Sequence, residues 1–349
     1  MSDIAVTGIG IKCPLGLDSD TFWKNCRKAR NAIAKIDQFD TSAFRSDIAG
    51  WVKNFNPKDA LPPGKLRRMS RVSKLAVAAS VEAIEDSHLF KAYPDKNRVA
   101  VIMGTAYGST SHVDIFFDSL LQGGPRGAQP LYFPETVPNA PASHIAMVHG
   151  ITGPNTTFSQ NLISAESAII YGRQLLLQNR ADAVLAGGAD EISALQYSGY
   201  DAIRALNPVK ISSGHAIAPH PGGGMVLGEG AGILILERIE AAIQRGARIY
   251  GCIKTATAAG GPVAMGHYDI TATQTTRTIS DALRKAGLEI QDMDQLNVAA
   301  NYTEELDAME YRLLNELFGG VKTDIGVTPL KYLWGISAGP VLSERPLHY

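Results

Sequence analysis

The sequence predicts an α/β protein in which a β-sheet carries helices on its faces. Short runs rich in β-branched residues alternate along the chain with longer segments whose apolar residues recur near the helical period. The composition is typical of a packed globular protein, because 45% of the 349 residues are hydrophobic and 19% are charged. A chain of this length can bury a large core. Strands that alternate with helices favour helical layers around a sheet.

The individual elements follow from these two patterns in chain order. An apolar run such as Ile-Ala-Val-Thr near the N-terminus predicts the first strand, and comparable runs predict the others. The predicted strands cover residues 4–11, 98–103, 155–160, 183–186, 232–236, 249–256, 296–300 and 324–328. The predicted helices cover residues 75–86, 164–178, 238–245 and 273–286, and Ser70 and Ser73 offer hydroxyl caps for the first of them. Residues 122–138 contain Pro and Gly beside Leu131, Tyr132 and Phe133, which indicates an ordered surface or interface loop.

Charge and cysteine content exclude several classes of function. The formal net charge of −1 gives the whole chain no attraction to nucleic acid or to an anionic membrane. No apolar run reaches the roughly 18 residues of a membrane-spanning helix, and the N-terminus lacks the basic region of a secretion signal. The three scattered cysteines, Cys13, Cys26 and Cys252, form no C-x-x-C pair. We therefore expect a cytoplasmic protein with no nucleic-acid or membrane partner, no metal and no cofactor.

The glycine-rich residues 220–232 do not have the pattern of a phosphate-binding loop. An apolar strand follows them, whereas a P-loop or a dinucleotide fingerprint requires a helix after its glycines. We expect these glycines to allow close packing, and Glu229 among them to anchor backbone.

Other candidate catalytic or metal-binding side chains are expected to be structural. His144 and His149 have no metal-ligand spacing and no polar residue nearby in the sequence to complete a site. Ser164 could act as a nucleophile only beside a matched base, and the sequence shows none.

Residues 155–168, followed by 181–189, resemble the nucleophile region of the β-ketoacyl synthases, the condensing enzymes of fatty-acid and polyketide assembly. Residues 222–237 are similar to the D-G-F-V-x-G-E-G-A-G-x-L-V-L-E signature of that family, and the similarity extends from Ile4 through Gly335. The resemblance implies a thiolase-like α/β fold with αβαβα layers from two pseudo-repeated halves. These would be residues 1–245, with interface insertions, and a shortened C-terminal half at residues 246–349.

The resemblance also locates the catalytic positions of the family. A cysteine opens the helix after the strand, and two histidines stand in H-G-T-x-T-x-x-x-D and K-S-x-x-G-H motifs. Asp307 and Glu310 hold the register of the first histidine motif, and Lys331 and Gly335 that of the second. The three catalytic positions then hold Leu162, Ala299 and Ile336. Without a thiol or an imidazole, the chain is expected to catalyse neither condensation nor decarboxylation.

The same resemblance implies a non-catalytic role. In type II polyketide synthases a non-catalytic chain-length factor pairs with an active ketosynthase and helps to line its acyl tunnel. The corresponding tunnel and chain-length candidates here are Tyr107, Thr110, Val113, Phe117 and Phe133. Basic residues in the matching places would dock the acidic acyl carrier protein, and these are Lys65, Arg67, Arg68 and Arg126.

The sequence therefore predicts a heterodimer with an active ketosynthase that elongates a carrier-protein-bound polyketide or polyene, in an aryl-polyene-type pathway. Two alternatives stay open. One is a homodimeric scaffold that binds carrier protein without any chain-length role. The other is an enzyme whose chemistry has moved to different residues.

Overall fold

A six-stranded mixed sheet forms the centre of the molecule. The computed structural model describes residues 3–211, 219–264, 266–319 and 325–335, with the side chain of Lys65 outside this set. The strands of the sheet lie in the order β5-β4-β6-β7-β1-β8. Their bounds are β1 Ile4–Lys12, β4 Val99–Gly104, β5 Asn155–Phe158, β6 Ala183–Asp190, β7 Gly230–Arg238 and β8 Gly251–Ile253. Two small pairs accompany it, β2 Ala34–Lys35 with β3 Ile48–Ala49 and β9 Gln295–Asn297 with β10 Gly326–Thr328.

Helices surround this sheet. Those in the described part of the chain are α1 Ser19–Arg27, α2 Pro63–Leu66, α3 Arg71–Ser87, α4 Leu89–Ala92, α5 Thr110–Gly127, α6 Ala140–His149, α7 Ser164–Leu177, α8 Ala194–Ala202, α9 Ile239–Gln244, α10 Thr273–Ala286, α11 Glu304–Phe318 and α12 Lys331–Trp334. None of these helices is long and apolar enough to cross a membrane.

The sheet is covered on both faces. Every residue of β4 and β6 is buried, as expected for central strands between two helical layers. Helix α3 packs Leu75 and Ala79 into the core on one face. Helix α7 packs Leu175 and Leu176 into the core on the other face. Helix α3 begins after Ser70, whose hydroxyl accepts the N–H of Ser73, so the predicted cap is confirmed.

Two glycines set how closely the helices approach the strands. A Cβ atom at Gly10 of β1 would lie 1.9 Å from the carbonyl oxygen of Ala79 in α3. A Cβ atom at Gly104 of β4 would lie 2.2 Å from the carbonyl carbon of Ser164 in α7. Neither position has room for a side chain, so β4 ends directly against the first turn of α7. This contact positions the candidate site.

The predicted strands are all present, with shifted ends, as β1 and β4 to β10. The strand predicted at residues 249–256 is shorter because only Gly251–Ile253 pairs with β1. The four predicted helices correspond to α3, α7, α9 and α10. The prediction of a loop throughout residues 122–138 was wrong at its start, since α5 continues to Gly127. A φ of 63° at Gly124 breaks the helix locally, so Pro125 can begin a new turn.

Candidate functional site

Strand β5 leads into α7 through a short turn at Asn161–Ile163. Asn161 has a φ of 56°, in the left-handed region that asparagine tolerates better than most residues. Leu162 lies half-buried in this turn, between the strand and the helix. Its side chain carries no nucleophile, acid or base.

Ser164 opens α7 and is fully buried. Its Oγ accepts the N–H of Gln160 at 2.9 Å and lies 2.7 Å from the carbonyl oxygen of Asn161 and 3.0 Å from that of Thr105. These contacts join the turn, the helix and the end of β4. The hydroxyl therefore forms hydrogen bonds to backbone groups and does not contact a basic side chain, which agrees with the structural role predicted for Ser164.

The loop after β9 is held by two carboxylates of α11. The backbone N–H of Ala299 donates to Glu310 at 2.5 Å, and that of Asn301 donates to Asp307 at 3.0 Å. The hydroxyl of Tyr332 also donates to Asp307, at 2.7 Å. The methyl side chain of Ala299 adds no imidazole to this loop. Ile336 lies outside the described residues.

The buried Glu310 and the half-buried Glu166 and Lys331 link α7, α11 and α12. Burial lowers the pKa of the Lys331 ammonium in α12, an effect that Glu166 of α7 and Glu310 of α11 oppose. Burial in turn raises the pKa of both carboxyls, and Lys331 acts against that shift. Lys331 thus interacts with one carboxyl of α7 and one of α11.

The turn after β4 presents Tyr107. The hydroxyl of Thr105 and the N–H of Ala106 both donate to Asp190 at 2.8 Å, which fixes the turn. The Tyr107 hydroxyl lies 2.8 Å from the hydroxyl of Tyr200 in α8, with the ring centroids 6.2 Å apart. No local pattern indicates Tyr200 as a partner, because 93 residues separate the two tyrosines.

Helix α5 carries three of the other predicted tunnel residues, and Phe133 lies in the loop after it. Thr110 accepts a hydrogen bond from Ser193 before α8, at 2.8 Å, while Val113 is half-buried. Phe117 and Phe133 both contact the ring of Phe116, with centroids 5.7 and 5.4 Å away. Helix α5 and the loop after it expose a set of large apolar side chains, here named the α5 patch, that comprises Ile115, Phe117, Leu121, Leu131, Phe133 and Val137.

A buried acid–base pair holds the loop beneath this patch. Glu135 is 2% exposed, bonds to the Nε2 of His144, and accepts the N–H of Ser70 and the hydroxyl of Ser73, each at 2.9 Å. Burial alone would raise the pKa of Glu135, but the hydrogen bonds from His144 and Ser70 outweigh it and lower the pKa to about 2. The expectation that His144 has no polar neighbour was therefore wrong. Glu135 lies nine residues before it, across the start of α6.

The basic residues near α2 do not form one solvated face. Arg67 and Arg68 are exposed, as is Arg126 at the end of α5. Arg71 instead forms an ion pair of 2.5 Å with the buried Glu229. Glu229 also accepts backbone N–H groups, at 2.8 Å from residue 52 and at 3.3 Å from residue 192. The anchoring role predicted for Glu229 is thus present, with a guanidinium partner that the sequence did not reveal.

Comparison with known proteins decides the family. Residues 1–242 match the model of the β-ketoacyl synthase N-terminal domain. The chain belongs to the β-ketoacyl synthase family. A curated relative, the 3-oxoacyl-[acyl-carrier-protein] synthase 2 of Staphylococcus aureus strain COL, is 30% identical over 340 residues, which cover 95% of this chain and 81% of that protein. The resemblance inferred from residues 155–168 is confirmed.

Solved structures confirm the thiolase-like fold of this β-ketoacyl synthase family member. The ishigamide ketosynthase/chain length factor has a TM-score of 0.82 at 24% identity, covering 96% of this chain and 82% of that one. A ketosynthase in complex with its chain length factor from Xenorhabdus doucetiae has a TM-score of 0.79 at 22% identity, covering 96% and 80%. The chain thus has the fold of a ketosynthase.

Proposed function

We propose that this chain is a non-catalytic, chain-length-factor-like subunit that pairs with an active ketosynthase and shapes its acyl tunnel. The reaction would be elongation of a carrier-protein-bound polyketide or an aryl-polyene-type chain. The observation that carries the proposal is Leu162 in the turn that opens α7, where the family resemblance expects the thiol nucleophile. A saturated side chain cannot form a thioester. Ala299 and, from the sequence, Ile336 likewise supply no imidazole.

The α5 patch supports pairing with another subunit. Its exposed fractions reach 51% for Phe117, 59% for Phe133 and 82% for Leu121. A cluster of exposed aromatic and aliphatic side chains is typical of an interaction surface. Strand β5 supports the same conclusion, because among the described strands it pairs only with β4 and leaves its outer edge available.

A pairing experiment tests this proposal. The chain is co-expressed with a candidate active ketosynthase, and light scattering after size exclusion measures the stoichiometry. We expect a one-to-one complex that Phe117→Asp weakens at least tenfold. Ile243→Asp is the matched control, since Ile243 is 65% exposed on α9, away from the α5 patch, and should leave the complex intact. If the chain elutes as a homodimer and the ketosynthase elutes in a separate peak, the proposal is contradicted and the scaffold alternative is favoured.

Product analysis of that complex tests the chain-length role. Tyr107→Ala or Phe117→Ala removes an aromatic ring at a proposed tunnel residue, so we expect longer acyl products by mass spectrometry. Tyr311→Ala is the control, because Tyr311 is 71% exposed on α11. An unchanged product distribution in all three variants would show that Tyr107 and Phe117 do not limit the length of the acyl chain.

A separate measurement tests the absence of chemistry. The isolated chain is incubated with malonyl and acyl carrier protein, and intact mass and carbon dioxide release are followed. We expect neither a covalent acyl group nor carbon dioxide, because Leu162 and Ala299 offer no reactive group. An adduct or gas release would support the alternative of relocated chemistry.

Carrier docking is proposed at the exposed basic residues. Replacing Arg67 and Arg68 together by Glu reverses two charges, and we expect several-fold weaker binding of the acidic carrier protein at low salt. Arg180→Glu changes an exposed arginine at the far end of α7 and serves as the control. Equal binding by the double variant and the control would exclude this surface.

A further inference from the structure

The end of α1 carries a concentration of positive charge that the proposed function does not use. Residues 21–36 contain five basic residues and no acidic one. One of the five, Lys35, forms an ion pair of 3.6 Å with Asp47. The other four are exposed, and their side chains form no hydrogen bond or ion pair within the described part of the chain. We name these four the α1 patch: Lys24, Arg27, Lys28 and Arg30.

The acidic residues that precede the patch lie at the start of α1. Asp18 is the N-cap, and its carboxylate accepts the N–H and the hydroxyl of Thr21. Asp20 stands in the first turn, four residues before Lys24, and therefore offsets part of the charge of that lysine. The three basic residues after Lys24 carry most of the uncompensated charge.

Backbone hydrogen bonds fix the turn that presents the patch. The N–H of Ala29 donates to the carbonyl of Cys26 at 2.9 Å, and the N–H of Arg30 donates to that of Asn25 at 3.0 Å. Ala29 has a φ of 46°, so the helix ends in the left-handed conformation of a Schellman cap. These carbonyls already have backbone donors. The cations of the patch are therefore not needed as helix caps, and their side chains are available to a partner.

The patch faces away from the surface proposed for subunit pairing. Phe22 and Cys26 bury one side of α1 in the core on which β1 packs. Three strands separate β1 from β5 in the sheet. At about 4.8 Å between neighbouring strands, the two lie roughly 19 Å apart. A subunit that pairs at the free edge of β5 would leave the α1 patch accessible.

A plane of phosphate groups is the partner that fits this patch. Exposed Lys and Arg side chains on a helix end can each reach a separate phosphate, and each one near an anionic bilayer strengthens binding roughly fivefold. Clusters of about 4–8 such residues are typical of proteins that bind anionic lipid. Single-stranded nucleic acid is disfavoured because its bases stack on exposed aromatic rings. The aromatic residues of α1, Phe22 and Trp23, are buried and half-buried.

We propose that the α1 patch docks this protein on a bilayer surface that carries anionic phospholipid headgroups. The prediction of no membrane partner used the net charge of the whole chain, which does not report where the charge is concentrated. The contact is peripheral, because the apolar side of α1 is packed in the core and is not available to enter lipid. This proposal goes beyond the proposed function and does not depend on it.

Vesicle sedimentation with the full chain tests the proposal. Vesicles contain equal parts of phosphatidylglycerol and phosphatidylcholine, and vesicles of phosphatidylcholine alone are the comparison. We expect binding to the anionic vesicles only, with loss of binding at high salt. Lys28→Gln combined with Arg30→Gln should weaken binding at least tenfold. Arg180→Gln combined with Lys285→Gln removes the same charge from exposed positions elsewhere and should bind as the unmodified chain does.

Three further variants test the assignment to this patch. Lys24→Gln combined with Arg27→Gln is a second neutral pair, and we expect at least threefold weaker binding because Asp20 already offsets Lys24. Arg27→Lys combined with Arg30→Lys keeps the charge and should retain most of the affinity. Phe117→Ser removes a ring from the α5 patch and should leave vesicle binding unchanged, so failure of subunit pairing is distinguishable from failure of membrane docking.

Four results would overturn the proposal. The first is absence of binding to anionic vesicles, and the second is equal binding to both kinds of vesicle. The third is equal affinity in the neutral variants of the α1 patch and in the Arg180 and Lys285 control. The fourth is tighter binding to a DNA duplex than to the anionic vesicles, which would assign the patch to nucleic acid instead.

Discussion

The Glu135–His144 pair predicts how the stability of this protein depends on pH. In the folded state the pKa of Glu135 is about 2, compared with an ordinary value of 4.5. A gap of about 2.5 pH units corresponds to roughly 3 kcal/mol of folding free energy, at about 1.36 kcal/mol per unit. Glu135 is almost fully buried, so solvent screens little of this energy.

The direction follows from the lowered pKa of Glu135. Folding favours its carboxylate, so the contribution is fully present above pH 4.5 and is lost as the pH falls from about 4.5 towards about 2. Glu135→Gln should therefore lower the free energy of unfolding by about 3 kcal/mol at pH 7. The difference between the variant and the unmodified chain should shrink as the pH falls below 4.5.

Urea denaturation at pH 7, 5.5, 4 and 3 measures this difference. Glu85→Gln is the control, because Glu85 is exposed on α3 and its side chain forms none of the hydrogen bonds or ion pairs of the described structure. We expect the Glu85 variant to follow the unmodified chain at every pH. A constant difference for Glu135→Gln from pH 7 to pH 3 would show that the stabilisation by Glu135 does not depend on the ionisation of its carboxyl, and would refute the reasoning.

Three other predictions concern packing, buried charge and thiol access. Glu229→Gln leaves the guanidinium of Arg71 without its buried anionic partner, so the free energy of unfolding, measured by denaturant titration, should fall by about 3–5 kcal/mol. A decrease below about 1 kcal/mol would show that this ion pair contributes little to stability. Gly104→Ala places a methyl group 2.2 Å from the backbone of α7 and should lower the melting temperature by several degrees. Gly123→Ala is the control, because a methyl group there would have no atom within 4 Å, and it should leave the melting temperature unchanged. Equal melting temperatures for the two variants would argue against the close contact. Iodoacetamide should modify Cys252 in the native protein, but should modify Cys13 and Cys26 only in urea, because these two thiols are buried and burial raises their pKa. Three adducts on the native protein, detected by intact mass, would contradict this prediction.

The strands were predictable because their signals are local. An apolar β-branched run is contained within β1 or β4, and burial on both faces preserves it as a nearly continuous run. Asp307 and Glu310 aligned residues 299–307 with a family motif, but the sequence did not predict what they contact. The structure shows that they accept the N–H groups of Asn301 and Ala299, which lie 6 and 11 residues before them.

Long-range pairs were not predictable in this way. Arg71 and Glu229 are 158 residues apart, and Tyr107 and Tyr200 are 93 apart. In the sequence, Arg71 is one more cation in a basic run, and nothing distinguishes it from its exposed neighbours. Only in the folded protein does the start of α3 lie beside the start of β7, so that Arg71 can pair with the buried Glu229. The kink at Gly124 was missed because Gly-Pro usually ends a helix, whereas here a helical turn follows it.

The position of β1 in the sheet affects how the protein is made. Ile4 pairs with Arg238 on one side and with Ile253 on the other. A ribosome adding about 5–20 residues per second needs roughly 12–50 s to reach Ile253 after synthesising Ile4. Until β7 has been synthesised, both edges of this apolar strand are unpaired, and one edge stays unpaired until β8 follows, which favours aggregation. Recovery of intact protein from a cell should therefore depend on translation speed and on the supply of nascent-chain chaperones.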